Sequence, residues 1–181
     1  MANSLVGNTY ELDSLGIVSA GPIWVRGVMF YPSTQADAML LKWWDEDSTT
    51  LVANGITWTV TTSTDNTVTA TTSAFPNTWL DGNVVKCVYD NAATNTKLYG
   101  LIKTAGNDTR FVTHLAPFTN EVASKGDWAC YPTYTALRLI QPKDTNEYSM
   151  WVPFPGPNGF KFPNLAIDSL SASCTAVIYL A

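Results

Sequence analysis

With 181 residues, the chain can bury roughly 70% of its unfolded surface, enough for a core that needs neither disulfides nor metals. Its net charge of −5, with ten basic residues scattered from Arg26 to Lys161, leaves no cationic stripe for phosphates and argues against nucleic-acid binding. Only 14% of residues are charged, against about 25% in an average protein, while 46% are hydrophobic and 12% aromatic.

A surface finished largely by Thr, Asn, Ser and apolar groups suits an assembly better than a free monomer, so a homo-oligomer is expected. Met1-Ala2-Asn3-Ser4 has neither a basic n-region nor an apolar h-region. No run approaches the roughly 18 apolar residues of a membrane helix. A product made in the cytoplasm, without a signal peptide or membrane association, is expected.

The polar N-terminal segment Met1–Tyr10 has little periodicity and is expected to drape over a neighbour. Ile23–Tyr31 is dense in β-branched and aromatic residues and reads as a central strand, with Gly27 marking a bulge or a close backbone approach. Thr34–Trp44 offers the best helical spacing, yet its two tryptophans and the Asp45-Glu46-Asp47 stop favour a strand over Ala38–Trp44. Asn54-Gly55 reads as a turn. Ile56–Thr61 and Thr67–Thr71 then alternate apolar residues with threonine, as the two arms of a hairpin.

Val84–Tyr89, Leu98–Ile102 and Arg110–Leu115 continue as strands between turn residues. A polar loop carrying Asn120, Lys125, Gly126 and Asp127 is expected before a strand at Tyr134–Ile140. Prolines 142, 153, 155, 157 and 163 restrict Tyr148–Phe154 to a short or edge strand and leave Phe160–Phe162 shorter still. Leu165–Leu170 alternates, and Cys174–Leu180 is apolar enough to pair inside the core. About a dozen short strands with no fixed-period repeat mean an all-β sandwich or barrel.

Four segments carry a resemblance: Ile23-Trp24-Val25-Arg26-Gly27-Val28, Ala38–Asp45, Phe162–Leu170 and Ala176–Leu180. In pattern and order, roughly residues 10–48 and 147–181 resemble small β-rich structural proteins of tailed bacteriophages. In those proteins the first part leads quickly to the Pro-rich approach, whereas here a long stretch intervenes. The resemblance therefore implies a β-sandwich, jelly-roll-like domain of residues 1–48 and 147–181, split by an inserted β-rich, barrel-like domain at 49–146. It also implies a virion structural role, foremost a capsid decoration or cement protein. The partners would be sister subunits and the major capsid protein or other virion proteins, with no cofactor.

Chemistry-bearing residues are few. His114 is the single histidine, with no Ser, Cys or carboxylate beside it in sequence to form a dyad. A half-buried structural histidine outweighs a small hydrolase, so no enzyme is expected. Asp45-Glu46-Asp47 lacks the alternation and glycine of a calcium loop and reads as a solvated turn. Asn107-Asp108-Thr109 matches a glycosylation acceptor, but reads as a turn in a chain without a secretion signal. Lys125-Gly126-Asp127 is a chance-level triplet. Cys87, Cys130 and Cys174 lack metal-ligand spacing and read as buried thiols.

The seven tryptophans invite a second function, a tail or receptor-binding module that stacks host glycan on exposed rings. Trp43 and Trp44 cannot both enter one core, because adjacent strand residues face opposite ways. Trp43, Trp44, Trp79, Phe154, Phe160 and Phe162 are the expected interface residues, as they lie in turns, Pro-rich stretches or two-faced strands.

Overall fold

The computed structural model describes residues 4–33, 37–47, 51–140 and 149–181, and every regular element among them is a β-strand. In chain order these are β1 Ser4–Val6, β2 Thr9–Leu12, β3 Gly16–Ser19, β4 Ile23–Tyr31, β5 Ala38–Trp44, β6 Leu51–Thr62, β7 Asn66–Ala70 and β8 Val84–Asp90. They continue as β9 Tyr99–Asn107, β10 Arg110–Thr113, β11 Glu121–Tyr131, β12 Thr133–Ile140, β13 Met150–Pro153, β14 Phe160–Phe162, β15 Leu165–Leu170 and β16 Thr175–Leu180. No helix among the described residues is long and apolar enough to cross a membrane. The strands fall into two compact units, one of residues 1–43 and 134–181, the other of residues 44–133.

The first unit holds two sheets. One runs β1-β2-β16-β4-β13 with β14 also on β4, and the other runs β12-β5-β15-β3. Their facing positions form one apolar core that includes Leu12, Val25, Val28, Phe30, Met39, Leu41, Leu165, Ile167, Ala176 and Ile178. Burying each of the larger side chains is worth about 1.5–3 kcal/mol. The last strand is internal, paired with β2 on one side and β4 on the other. Because β2 belongs to that sheet and β1 pairs with it, Ser4–Val6 and Thr9–Leu12 are a paired part of the fold rather than a free arm. The rest of the expected arm, Met1–Asn3, lies outside the described residues.

The second unit is a closed six-stranded barrel in the order β10-β7-β6-β11-β8-β9. Its interior is aromatic: Trp128 stands edge-on to Trp58, Phe111 and Phe118 at centroid distances of 5.1, 5.4 and 5.0 Å. The β6–β7 hairpin pairs Trp58 with Ala70 and Val60 with Val68, so the threonines between them face outward.

Two local expectations are corrected here. Asn54-Gly55 is not a turn: both residues lie within β6, where Ala53 and Ile56 oppose Trp128 and Gly126 and the extra residues form a bulge. Gly55 takes φ +60°, and its N–H donates to Asp127 Oδ1 at 2.6 Å, which fixes the distortion. The segment expected as a polar loop around Lys125-Gly126-Asp127 is part of β11, paired on both sides with β6 and β8.

Candidate functional site

The outer face of the sheet centred on β4 collects exposed aromatic rings. Along β4, Ile23 and Val25 point into the core while Trp24 and Arg26 point out. At Gly27 the pairing with β16 slips by one residue, because Tyr179 opposes Gly27 while Leu180 opposes Val25. This bulge reverses the parity of the strand. Val28 and Phe30 become the core positions, and Met29 and Tyr31 join Trp24 and Arg26 on the outer face.

Neighbouring strands add to this face, since residues opposite each other in an antiparallel pair share a side. Trp151 on β13 opposes Met29, and Tyr179 on β16 opposes Gly27. The Trp151 ring occupies the space that a Cβ on Gly27 would need. Tyr179 stands edge-on to that ring at 5.2 Å. Lys161 on β14, opposite Trp24, sets its ammonium 5.9 Å from the Trp24 ring centre. Trp24 and Trp151 remain 45% exposed and Tyr31 39%, a dense aromatic display for a single sheet face.

The residues expected at interfaces divide sharply. Trp44, Trp79 and Phe162 are corrected to interior positions, at 0%, 3% and 5% exposure, with no appreciable area left for a partner. Trp79 packs on Phe75 and Phe111 inside the barrel unit, and Phe162 joins the core of the two-sheet unit. Trp43 is half-buried and stacks on Tyr134 at 4.8 Å. Phe154 and Phe160 cluster with Phe162, and Phe160 stays 48% exposed. Trp24 and Trp151 entered the sequence reading only among the seven tryptophans, and Tyr31 and Tyr179 were missed, because the Gly27 parity reversal that gathers the four has no simple alternation to announce it.

Trp44, Glu46, Lys86 and Tyr99 form a polar cluster in the barrel unit. Glu46 accepts from Lys86 Nζ at 2.8 Å and from the Tyr99 hydroxyl at 2.7 Å, and Lys86 also lies 4.7 Å from the Tyr99 ring centre. Burial disfavours the Glu46 charge, but the hydrogen bonds from Lys86 and Tyr99 outweigh it and hold the carboxyl below its usual range. For Lys86, burial likewise opposes the charge, and its bonds to Glu46 and Tyr99 outweigh it and raise the ammonium well above its ordinary value.

The depressed carboxyl stabilises the fold above its unfolded pKa, and that stabilisation is lost as pH falls through its folded pKa. The raised ammonium stabilises below its ordinary value and is lost only in strong alkali. At about one-third exposure of the Glu46 side chain, Glu46→Gln is expected to cost about 0.5–1 kcal/mol at neutral pH. Urea denaturation should show that difference from wild type shrinking as pH falls below the ordinary carboxylate range.

The remaining reactive residues have structural surroundings. His114 follows β10, is half-buried and donates its backbone N–H to Leu101 O at 2.9 Å. Cys87 and Cys130 are buried thiols pushed up to about 12, by burial in both cases and also by the Asp90, Glu121 and Asp127 charges near Cys87. Cys174 is buried, 3.0 Å from Asp37 Oδ2. Among the described residues, no three His, Cys, Asp or Glu side chains converge to hold a metal. Asp45-Glu46-Asp47 forms a turn, with the Asp47 N–H donating to Asp45 Oδ1 at 3.0 Å. Comparison with protein-family models, curated proteins and solved structures gives no match to this chain.

Proposed function

We propose that this chain is a structural protein of a tailed-phage virion, a decoration or cement protein that binds the capsid lattice and its own sister subunits. In this reading the two-sheet unit is a jelly-roll-like domain into which the barrel is inserted. The four segments that resemble phage structural proteins cover β5, β15, most of β4 and β16 and the last residue of β14, all within that unit apart from its boundary residues Trp44 and Asp45.

The single observation that carries the reading is the face of exposed Trp24, Tyr31 and Trp151 rings, with half-buried Tyr179 against Trp151, on paired strands. Rings held by a sheet and by each other lose little conformational freedom when a partner covers them, so most of their apolar area is available as binding energy. A lattice then multiplies modest contacts by symmetry. The same exposed rings favour a second reading, a tail module that stacks host glycan on Trp24 and Trp151.

Co-sedimentation of the purified chain with empty phage heads tests the first reading. Saturable binding is expected, and Trp24→Ala with Trp151→Ala should weaken it by about 30-fold or more, the loss typical of interface anchors. A chain that stays in the supernatant removes the decoration role. Saturable binding to a glycan array through those two residues, without head binding, transfers the function to the second reading.

A further inference from the structure

We propose that the outer edge of β12 is a self-association edge, where β12 of a second copy adds antiparallel to form a sheet that runs continuously through both molecules. This specifies the sister-subunit contact assumed in the proposed function, but it rests on independent observations. Among the described residues, the two-sheet unit ends in five edge strands, and four of them are short. β1 and β14 have three residues and β3 and β13 have four, while β13 ends in Pro153 and is followed by Pro155. Shortness and proline are the usual protection against edge-to-edge pairing.

β12 has neither. It runs eight residues, Thr133-Tyr134-Thr135-Ala136-Leu137-Arg138-Leu139-Ile140, without proline or glycine and with Arg138 as its single charge. It pairs with β5, and no strand among the described residues lies on its other side. Its backbone therefore presents a row of N–H and C=O groups whose natural complement is another extended strand.

The side chains identify that strand. Leu137 and Leu139 pack against the core but are only half-buried, whereas Met39 and Leu41 on β5, one strand inward, are 0% and 1% exposed. The core is open at this edge and calls for a strand with an apolar inward face. β12 itself has that face. Antiparallel pairing about a two-fold axis lets each copy close the other's core and leaves no new edge at the junction. A register centred on Ala136 sets Arg138 opposite Tyr134 of the second copy, with no like charges opposed. Tyr134 is 44% exposed and already stacks on Trp43, and guanidinium over such a ring is favourable.

Mass photometry and light scattering across a concentration series are expected to show a two-chain species in wild type. Hydrogen exchange of β12 amides should slow as concentration rises. Adjacent strand residues send their N–H groups to opposite sides, so Ala136→Pro and Leu137→Pro form an internally controlled pair. One removes a ladder bond to β5 and lowers the melting temperature. The other removes no ladder bond to β5, lowers the melting temperature less, and raises the dimer Kd by about tenfold or more, a loss of about 1.4 kcal/mol.

Leu137→Lys should also weaken the dimer without changing head binding per chain at saturation. A wild-type chain that stays single throughout, a dimer unaffected by all three variants, or β12 exchange independent of concentration would overturn the proposal. A β12-dependent dimer that ignores phage heads supports it while removing the virion role.

Discussion

Gly126→Ala is expected to lower stability by about 3 kcal/mol, at the upper end of what overpacking costs. A Cβ on this residue would run into the carbonyl oxygen of Tyr89 on the paired strand β8, and would stand 3.1 Å from Trp58 Nε1. The first obstacle is backbone held in the barrel ladder, with Asp90 opposite Gly126 and Tyr89 opposite Asp127. The second belongs to a fully buried indole. Neither is the free end of a flexible side chain, so relief requires the barrel wall to shift. Gly21→Ala is the control, since nothing lies within 4 Å of its added methyl; it should change stability by less than about 0.5 kcal/mol. Urea midpoints of the two variants measure the difference, and equal midpoints would refute the crowding argument.

The same residue explains why β11 was hard to see. Its inward positions are Ser124, Gly126, Trp128 and Cys130, so the half near Glu121 presents a hydroxyl and a glycine where strand patterning looks for Val or Ile. The serine is accommodated because its hydroxyl meets Asp90 Oδ1 at 2.5 Å, within a cluster where Asn95 N and Ala92 N also donate to Asp90. Burial alone would raise the Asp90 carboxyl, and these hydrogen bonds more than compensate and hold it below its usual range. A buried polar residue is tolerated when its partners come from elsewhere in the chain. Such partners are invisible to a window of sequence.

Where one face was uniformly apolar, the sequence was enough. β4, β5, the β6–β7 hairpin and β16 were legible from β-branched and aromatic alternation, and Pro153 and Pro155 correctly marked β13 as an edge. The all-β class follows from such elements alone. The candidate face was less legible, because it depends on a register slip at Gly27. Trp24 and Arg26 sit at even positions and Met29 and Tyr31 at odd ones, so strict alternation assigns them to opposite faces. Gly27 was visible as a bulge signal, but which side chains the bulge gathers is set by Trp151 and Tyr179, far along the chain. The error over Trp79 and Phe162 has the opposite origin. Proximity to turns and prolines suggested leftover surface, yet a closed aromatic barrel and a two-sheet core take up those rings.

Trp128 provides the second large effect, and its size depends on which atoms are removed. Trp128→Ala is expected to cost about 3–5 kcal/mol, because it empties the centre of the barrel and strips the rings of Trp58, Phe111 and Phe118 of their edge-on partner. Trp128→Phe should cost less than about 1 kcal/mol. Phenylalanine keeps most of the apolar contact and omits the indole N–H, which is fully buried and has no acceptor among the described residues. A buried donor without a partner costs about 1–3 kcal/mol, so its removal offsets the packing lost with the smaller ring. Denaturant unfolding of both variants against wild type resolves the two contributions. If phenylalanine proves as damaging as alanine, the indole nitrogen is engaged in an interaction that the barrel needs, and its apolar ring is not the main source of stability at this position.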